Sequence, residues 1–212
     1  MSRGLFLVLE GPEGAGKSTL ARALVERMRA LGLDPVAVRE PGGTGPAEHA
    51  RAALLDPASE MEPQTELLFF TAARAHLVQS VIRPALAAGR IVVSDRHVLS
   101  TLAYQGAGSG LDEAQIRQVN AFATQGLEPD LTLVLDVPPA TGRSRQQREG
   151  KAADRIEAHD DAFHDRVAEA YRRASGPGIH HIDAAGSPDE VLDQAWRVLH
   201  QARPDAFPAE GR

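Results

Sequence analysis

Residues 11–19 form the first segment of the chain with a recognisable chemical pattern. They read Gly-Pro-Glu-Gly-Ala-Gly-Lys-Ser-Thr and match the spacing G-x-x-x-x-G-K-[ST]. Glycines let backbone N–H groups approach phosphate oxygens closely. The Lys17 ammonium can reach a β- or γ-phosphate, and the Ser18 hydroxyl can ligate Mg²⁺. The segment is therefore predicted to be a phosphate-binding loop (P-loop). Its predicted nucleotide-binding residues are Gly11, Pro12, Glu13, Gly14, Ala15, Gly16, Lys17, Ser18 and Thr19.

The sequence on either side of this loop decides whether the match is meaningful. Residues 5–9 are a short apolar run, as expected of a buried parallel strand. Residues 20–31 follow with apolar side chains at helical spacing. A chance glycine-rich turn is the alternative, but strand, loop and helix in this order favour a phosphate site, because the helix N-terminus adds partial positive charge.

An Asp-Arg pair follows a second apolar strand pattern, at residues 91–93. Asp95 is predicted to hold Mg²⁺ directly or through water, opposite Ser18. Arg96 offers a planar guanidinium for a phosphate group. The alternative is a structural Asp-Arg pair at a strand end. The P-loop elsewhere in the chain favours the functional interpretation.

The segment 143–155 is the most basic stretch of the chain. Its cationic residues are Arg143, Arg145, Arg148, Lys151 and Arg155. Such stretches are usually solvated surfaces. Phosphoryl transfer needs cations around the migrating group, and a mobile segment can supply them while excluding water. The interpretation favoured here is a catalytic lid over about 143–157.

Two further groups of side chains could shape a binding pocket. Phe70 and Arg74 are spaced i, i+4 and would share a helix face, which suits stacking on a flat base and hydrogen bonding to its edge. Thr101, Tyr104 and Gln105 would also share a face if that segment is helical. The alternatives are a core phenylalanine with a surface arginine, and capping or packing residues.

Composition narrows the class of protein. The chain has 212 residues, 42% of them hydrophobic, which suits one α/β domain spanning 1–212. It has no cysteine, which excludes disulfides, thiol catalysis and cysteine-based zinc sites. The formal net charge of −6 does not suggest a nucleic-acid partner. No apolar run approaches the length of a membrane span and no signal peptide is recognised, so a cytoplasmic protein without a membrane partner is expected.

The order of elements predicts a parallel sheet with helices on both faces. Further strands are predicted at 36–38, 91–93, 131–135 and 179–182. Helices are predicted at 47–55, 64–88, 112–124, 139–148, 160–174 and 188–201. Pro84 is expected to kink or end its helix, and the tail from 204 is expected to be frayed. Ligands of such sheets bind beyond the carboxyl ends of the strands, where the P-loop, Glu40, Asp95 and Asp136 are expected.

Taken together, the motifs resemble those of the bacterial thymidylate kinases. The resemblance covers residues 4–202 and its motifs occur in the family's order. They are Glu-Gly-Pro-Glu-Gly-Ala-Gly-Lys-Ser at 10–18, Arg-Glu-Pro-Gly-Gly-Thr at 39–44, Leu-Phe-Phe-Thr-Ala-Ala-Arg at 68–74, Asp-Arg-His-Val-Leu-Ser-Thr-Leu-Ala-Tyr-Gln-Gly at 95–106 and Asp-Arg-Ile-Glu at 154–157.

The resemblance implies the three-layer fold of P-loop nucleoside monophosphate kinases, with a five-stranded parallel sheet. It implies transfer of the ATP γ-phosphate to dTMP, with Mg²⁺, in a homodimer that takes part in dTTP biosynthesis. The nearest alternative is another nucleoside monophosphate kinase. A GTP-dependent switch would need a guanine-reading Asn-Lys-x-Asp segment, and the sequence contains none.

The same resemblance assigns roles to individual residues. Glu13 should bind the deoxyribose 3′-hydroxyl, Phe70 should stack on thymine and Tyr104 should exclude ribonucleotides. The full set of substrate-binding residues that it implies is Glu13, Glu40, Arg51, Phe70, Arg74, Arg96, Thr101, Tyr104 and Gln105. Within it, Arg74 should hydrogen-bond thymine, while Arg51 and Arg96 should hold the phosphate of dTMP. Glu40 and Asp95 should lie near the metal.

One form of the family carries an arginine inside the P-loop, where this chain has Gly14. The lid must then supply the catalytic cation. The predicted catalytic residues are Lys17, Asp95, Arg96, Arg145 and Arg148. Arg143 is expected to contact the adenine of ATP, and Arg155 could belong to the Asp-Arg-Ile-Glu turn. Ser18 and Asp95 are the predicted metal ligands.

Overall fold

A computed structural model describes residues 4–149 and 154–208 of the chain. Within these residues the strands are β1 (Leu5–Glu10), β2 (Pro35–Arg39), β3 (Ile91–Asp95), β4 (Leu131–Asp136) and β5 (Ile179–Asp183). The α-helices are α1 (Lys17–Ala30), α2 (Gly45–Leu55), α3 (Pro63–Leu77), α4 (Arg83–Ala87), α5 (Val98–Thr101), α6 (Glu113–Thr124), α7 (Pro139–Glu149), α8 (Asp161–Arg173) and α9 (Pro188–Ala202). Two π-helical segments lie at Val78–Ile82 and Leu102–Gly108.

The five strands form one parallel sheet in the order β2-β3-β1-β4-β5. β1 lies at the centre and pairs with β3 on one side and β4 on the other. All carboxyl ends of the strands therefore meet at one edge, which confirms the predicted position of the P-loop and Asp95. Asp136 ends β4 at the same edge but hydrogen-bonds His181 (2.8 Å).

Alternate side chains of β1 enter two separate cores, so both faces of the sheet are covered. Leu7 packs in a cluster with Leu24 of α1 and Trp196 of α9. Phe6 packs in a second cluster with Leu77 and Ile82. This period of two is expected of a strand whose faces are both buried. The three-layer α/β architecture is confirmed.

The predicted helix at 64–88 is interrupted, as Pro84 requires. α3 ends at Leu77, a π-helical turn follows, and Pro84 lies in the first turn of α4. Proline lacks a backbone N–H, which the first turn of a helix does not need. The wider π turn absorbs the missing hydrogen bond without ending the helical path.

The prediction of a frayed tail from residue 204 is wrong for residues 204–208. Phe207 is fully buried and lies edge-on to Trp196, with ring centroids 5.5 Å apart. The Trp196 indole N–H donates to the Pro208 carbonyl (3.1 Å). An aromatic pair therefore ties this segment to α9. The remainder of the predicted tail, 209–212, lies outside the described residues.

Candidate active site

A cleft of about 340 Å³ opens at the carboxyl ends of β1, β2 and β3. This volume is in the range of small-molecule sites. The P-loop residues that line it are Glu13, Gly14, Gly16, Lys17, Ser18 and Thr19. Gly11, Pro12 and Ala15 are not among the lining residues. The predicted side chains that line the rest of the cleft are Glu40, Arg51, Phe70, Asp95, Arg96, Thr101, Tyr104 and Gln105.

Lys17 begins α1 and is buried at the floor of the cleft. Its ammonium donates to the carbonyls of Gly11 (2.9 Å) and Pro12 (2.7 Å). Burial, followed by the positive charge of Arg96, lowers the pKa of Lys17 to about 8. A desolvated ammonium at a helix N-terminus is well placed to bind an anion, which would also favour its charged form.

Ser18 and Asp95 face each other across the cleft, as predicted. The Ser18 hydroxyl donates to a carboxylate oxygen of Asp95 at 2.5 Å. A hydroxyl and a carboxylate are oxygen donors of the kind that Mg²⁺ prefers, and Mg²⁺ commonly takes its other ligands from water and substrate phosphates. Over 4–149 and 154–208, no three His, Asp or Glu residues cluster closely enough to hold a metal without such help.

Arg96 extends from the end of β3 over the P-loop. Its NH1 donates to the Gly11 carbonyl, and its NH2 donates to Glu13 and to the Tyr104 hydroxyl, each at 3.2 Å. The Arg96 guanidinium also lies over the Tyr104 ring, 5.1 Å from its centroid. Arg96 thus lines the cleft with a guanidinium that neighbouring groups hold in place.

Glu13 is a carboxylate at the mouth of the same pocket. Burial acts to raise its pKa, but the charges of Arg96 and Lys17 and a hydrogen bond from the Tyr104 hydroxyl outweigh burial and lower the pKa of Glu13. Glu13 is therefore ionised near neutral pH and acts only as a hydrogen-bond acceptor. A substrate hydroxyl is a suitable donor for it.

Arg74 lies behind the cleft wall and is not among its lining residues. Its guanidinium donates to Glu40 (2.6 Å), Thr101 (2.8 Å), the His97 carbonyl (2.8 Å) and Asn120. Four of the five N–H donors of an arginine are thereby engaged. The structure does not bring Arg74 to the base-binding wall, although Thr101, which it holds, lines that wall.

Glu40 lines the cleft, but its two oxygens are already engaged. Oε2 accepts from Arg74, and Oε1 contacts the His97 ring nitrogen Nδ1 at 2.8 Å. Burial acts to raise the pKa of Glu40, but the charges of Arg74 and His97 outweigh it and lower the pKa. The arrangement makes Glu40 an anchor for Arg74. It does not place Glu40 beside Ser18 and Asp95 as part of one metal-ligand cluster.

Phe70 and Gln105 form the side of the cleft farther from the P-loop. Phe70 is partly exposed, whereas its helical neighbours Leu67 and Thr71 are buried. The Gln105 amide donates to Glu66 at 2.5 Å, and Glu66 also accepts from Arg155 at 2.5 Å. Arg155 lies in the Asp-Arg-Ile-Glu turn, as one of its two alternatives stated, and is not among the residues that line the cleft.

The segment predicted as a lid begins as a regular helix, α7, packed against the P-loop. The Arg145 guanidinium donates to the carbonyls of Gly14 (3.4 Å) and Ala184 (2.9 Å). Arg143 lies 3.7 Å from Asp161 and is not among the lining residues. The structure therefore brings neither Arg145 nor Arg143 into the cleft. The side chain of Arg148 and residues 150–153 lie outside the described residues.

Two glycines allow α7 to approach the P-loop this closely. Gly14 has φ +68°, and a Cβ atom built there would overlap the backbone of Gly142 in α7. A Cβ atom on Gly142 would lie 2.7 Å from the Glu13 carbonyl oxygen. The backbones of the loop and the helix are thus in direct contact.

Several residues around the cleft were not singled out by the sequence analysis. Glu10, Glu66 and Asn120 are buried polar side chains, and Tyr171 is a buried tyrosine whose hydroxyl is hydrogen-bonded. A signal existed for Glu10, because it is a charged residue that ends an otherwise apolar strand. Glu66 also carried a signal, because it precedes Phe70 by four residues on α3. Asn120 and Tyr171 come from α6 and α8, and their spacing carries no pattern.

A P-loop with room beside it for a second, aromatic-walled ligand pocket is the arrangement of a nucleoside monophosphate kinase. The parallel sheet, with the P-loop after β1 and the Asp-Arg pair after β3, places the chain in the P-loop class of these enzymes.

Comparison with known proteins identifies the family. The thymidylate kinase family model matches residues 9–195. Three relatives described as thymidylate kinases are similar over nearly their whole length. The relative from Deinococcus radiodurans is 45% identical over 95% of this chain and 98% of its own. The one from Cereibacter sphaeroides is 48% identical over 93% and 95%, and that from Rhizorhabdus wittichii 49% over 95% and 99%. The chain belongs to the thymidylate kinase family, whose enzymes phosphorylate dTMP with ATP.

No helix in 4–149 or 154–208 combines the length and the apolar character needed to cross a membrane.

Proposed function

We propose that the cleft at the P-loop is where this chain transfers the γ-phosphate of ATP to dTMP, giving ADP and dTDP. The observation that carries the proposal is that one cleft contains both a phosphate-binding half, with Lys17 and Ser18, and a half with an aromatic wall, with Phe70 and Tyr104. Two phosphorylated nucleotides can meet there with their phosphates facing each other.

In this mechanism no protein nucleophile is needed. A phosphate oxygen of dTMP attacks the γ-phosphorus in line, the bond to the β–γ bridging oxygen breaks, and ADP leaves. Catalysis comes from positioning and from stabilising charge on the transferred group. Lys17, desolvated at the floor of the cleft, binds β- and γ-phosphate oxygens, and the backbone N–H groups at the start of α1 cradle them.

Ser18 and Asp95 are the side chains that would hold Mg²⁺. The hydroxyl and the carboxylate already lie 2.5 Å apart, so one small cation can be shared between them, directly or through water. A Mg²⁺ ion held by Ser18 and Asp95 would supply positive charge that offsets the negative charge on the transferred phosphate.

The pocket beyond the P-loop binds dTMP. Phe70 presents a partly exposed ring on which thymine stacks, while Thr101 and Gln105 line the same wall. The ionised Glu13 accepts a hydrogen bond from the 3′-hydroxyl. The Tyr104 ring leaves no room at C2′ for a second hydroxyl.

Arg96 and Arg51 bind the dTMP phosphate. Arg51 lines the cleft and makes one hydrogen bond there, from NH1 to the Pro41 carbonyl (2.9 Å), so further N–H donors remain for a phosphate. Both side chains offer the planar guanidinium that suits bidentate contacts to phosphate.

The catalytic cation of the lid is proposed to be Arg148. Arg145 is held by backbone carbonyls of the P-loop and of the segment after β5. Its role is therefore proposed to be the support of the nucleotide site by fixing α7 on Gly14. The proposed contact of Arg143 with adenine requires it to leave the neighbourhood of Asp161.

The chain is further proposed to act in the cytoplasm as a homodimer. Leu68 and Phe69 on α3 and Phe122 on α6 are exposed large apolar side chains on two helices that pack against each other. Such side chains are typical of a face that a second copy covers. Sedimentation velocity should give a dimer at micromolar concentration, and a monomer with an unchanged circular dichroism spectrum for Phe122→Glu.

A coupled assay across the natural nucleoside monophosphates tests the proposed function. With ATP and Mg²⁺, dTMP should be the preferred acceptor, and the Lys17→Ala variant should show no detectable transfer with a normal circular dichroism spectrum. Preference for another base, or near-normal turnover by the variant, would contradict the assignment of the cleft.

A further inference from the structure

The backbone of Arg96 is in an unusual conformation. Its φ angle is +74°, a left-handed region that non-glycine residues rarely adopt. Such residues persist only where surrounding contacts hold them, and they cluster at functional sites. The contacts that hold Arg96 in this conformation therefore bear on its function.

Those contacts fix the peptide groups on both sides of Arg96. Its N–H donates to the Leu9 carbonyl (2.9 Å), and its own carbonyl accepts from the Ser94 hydroxyl (2.7 Å). The next N–H, that of His97, donates to a carboxylate oxygen of Glu10 (2.8 Å). Residues 9 and 10 at the end of β1 thus hold the turn that Arg96 makes.

Glu10 also reaches the side chain of Arg96, through two hydroxyl groups. The Ser100 hydroxyl donates to Glu10 Oε2 (2.6 Å), and so does that of Tyr171 (3.1 Å). The two hydroxyls also contact each other at 2.9 Å, where either can be the donor, and both oxygens can accept from Arg96. The Arg96 NH1 donates to Ser100 (3.2 Å) and to Tyr171 (3.1 Å).

Glu10 lies fully buried and is not among the residues that line the cleft. Burial raises the pKa of Glu10, although hydrogen bonds and the charge of Arg96 partly offset this. A buried carboxylate costs stability unless it is well hydrogen-bonded. Four donors, two from the backbone and two from hydroxyls, converge on it. Together these hydrogen bonds orient the guanidinium of Arg96.

We propose that Glu10 and Tyr171 are positioning residues, which hold the Arg96 guanidinium at the cleft where it meets the phosphate of the nucleoside monophosphate. The inference rests on the proposed role of Arg96 in binding that phosphate. It assigns the specific recognition of a phosphorylated substrate to a buried hydrogen-bond network that spans β1, the segment after β3, and α8.

Calorimetry with dTMP and with thymidine, which lacks the phosphate, tests the proposal in the Tyr171→Phe and Glu10→Gln variants. Each variant should lose about tenfold in dTMP affinity, the size of effect typical of residues that orient a ligand-binding group. Thymidine affinity and the KM for ATP should stay within about twofold. Thr132→Val, which removes one buried hydroxyl from β4 away from the cleft, is the matched control.

A double-mutant cycle with Arg96→Ala distinguishes a failure of the positioning role from a failure of the proposed contact between Arg96 and the phosphate. If Arg96→Ala removes the preference for dTMP over thymidine, Tyr171→Phe should add no further loss in that background. An equal loss of thymidine and dTMP affinity in the single variants, or an unchanged dTMP affinity, would overturn the positioning role. If Arg96→Ala itself leaves the preference intact, the assignment of the phosphate to Arg96 is wrong instead. Since Tyr171→Phe removes one atom, it remains informative should Glu10→Gln fail to fold.

Discussion

Arg74 and Arg51, both predicted to contact dTMP, differ in how many of their N–H donors are already engaged by protein groups. Arg74 has four of its five donors engaged by protein groups, whereas Arg51 makes one hydrogen bond at the cleft wall. Access to the cleft also differs, because Arg51 lines it and Arg74 does not. Arg96 lines the cleft as well, although five protein groups accept from its guanidinium. At the residue scale, access to the cleft therefore indicates which arginines are available to a phosphate, and sequence spacing alone does not show this.

Phe70→Ala should weaken dTMP binding and leave ATP binding nearly unchanged. The ring is exposed to the cleft, and a lost base–aromatic stack costs about 1–3 kcal/mol. Titration calorimetry with each nucleotide measures both effects. Phe70→Tyr is the matched control, because it keeps the aromatic face and should retain dTMP affinity. An Ala variant with normal dTMP affinity would show that thymine stacks elsewhere.

Tyr104→Ala should raise the activity on UMP relative to dTMP. The Tyr104 ring packs near the rings of Phe163 and Tyr171, each with centroids 6.2 Å away, and its hydroxyl is bound by Glu13. It therefore cannot turn aside for a 2′-hydroxyl. Tyr104→Phe keeps the ring and should keep the discrimination. The ratio of kcat/KM for UMP to kcat/KM for dTMP measures this discrimination. If the Ala variant has the same ratio as the parent chain, steric exclusion by Tyr104 is refuted.

At the scale of elements, the strands and most helices could be predicted, because apolar periodicity and turn residues mark them directly. The π-helical segment Leu102–Gly108 could not. A π turn depends on where hydrogen bonds close, which neighbouring elements decide. Here Gly108 lies against Phe163 of α8, where a Cβ atom would lie 2.5 Å from the ring. The packing contact that shapes this segment therefore comes from a residue far along the chain.

The junction of β4 and β5 should make stability depend on pH. His181 bonds to Asp136 and to the Ala174 carbonyl, each at 2.8 Å. Partial burial acts to lower the pKa of His181, but the two hydrogen bonds and the Asp136 charge outweigh it and raise the pKa above 6.5. The stabilisation is therefore complete below about pH 6.5, the pKa of an unfolded histidine, and is lost as pH rises through the folded value.

Thermal denaturation between about pH 5.5 and 8.5 checks this dependence. The Tm difference between the parent chain and His181→Ala should be largest at the acidic end of the range and shrink toward the basic end. His49→Ala, on α2, serves as the control. A difference that is constant with pH would mean that the His181 contacts contribute through packing alone.

At the scale of the whole molecule, the segment after α9 completes the core cluster that contains Leu7, Leu24 and Trp196. Phe207→Ala should lower the free energy of unfolding by about 3–5 kcal/mol, because the ring is fully buried against Trp196. Urea denaturation measures the change. The exposed Leu31 offers a control, since Leu31→Ala should stay within about 0.5 kcal/mol. A small loss for Phe207→Ala would restore the original expectation of a loosely attached tail.

Some residues of the site could be predicted from the sequence, and others could not. Lys17, Ser18 and Asp95 lie in contiguous motifs at strand ends, and the parallel sheet brings such ends together. The partners of Glu10 could not be predicted, because Tyr171 lies 161 positions away and only the packing of α8 brings it close. The predicted site residues lie in short contiguous motifs, whereas the residues that hold them in place are far apart in the sequence and meet only in the folded chain.

The contact between Gly14 and Gly142 restricts which substitutions the P-loop of this enzyme can accept. The obstacle to a side chain at position 14 is the backbone of α7, so no second substitution at position 142 can remove it. Any side chain at position 14 would therefore require α7 to shift, together with the Arg145 contacts that hold it. In evolutionary terms this is epistasis, because a substitution in the P-loop depends on changes in a helix more than 120 positions away.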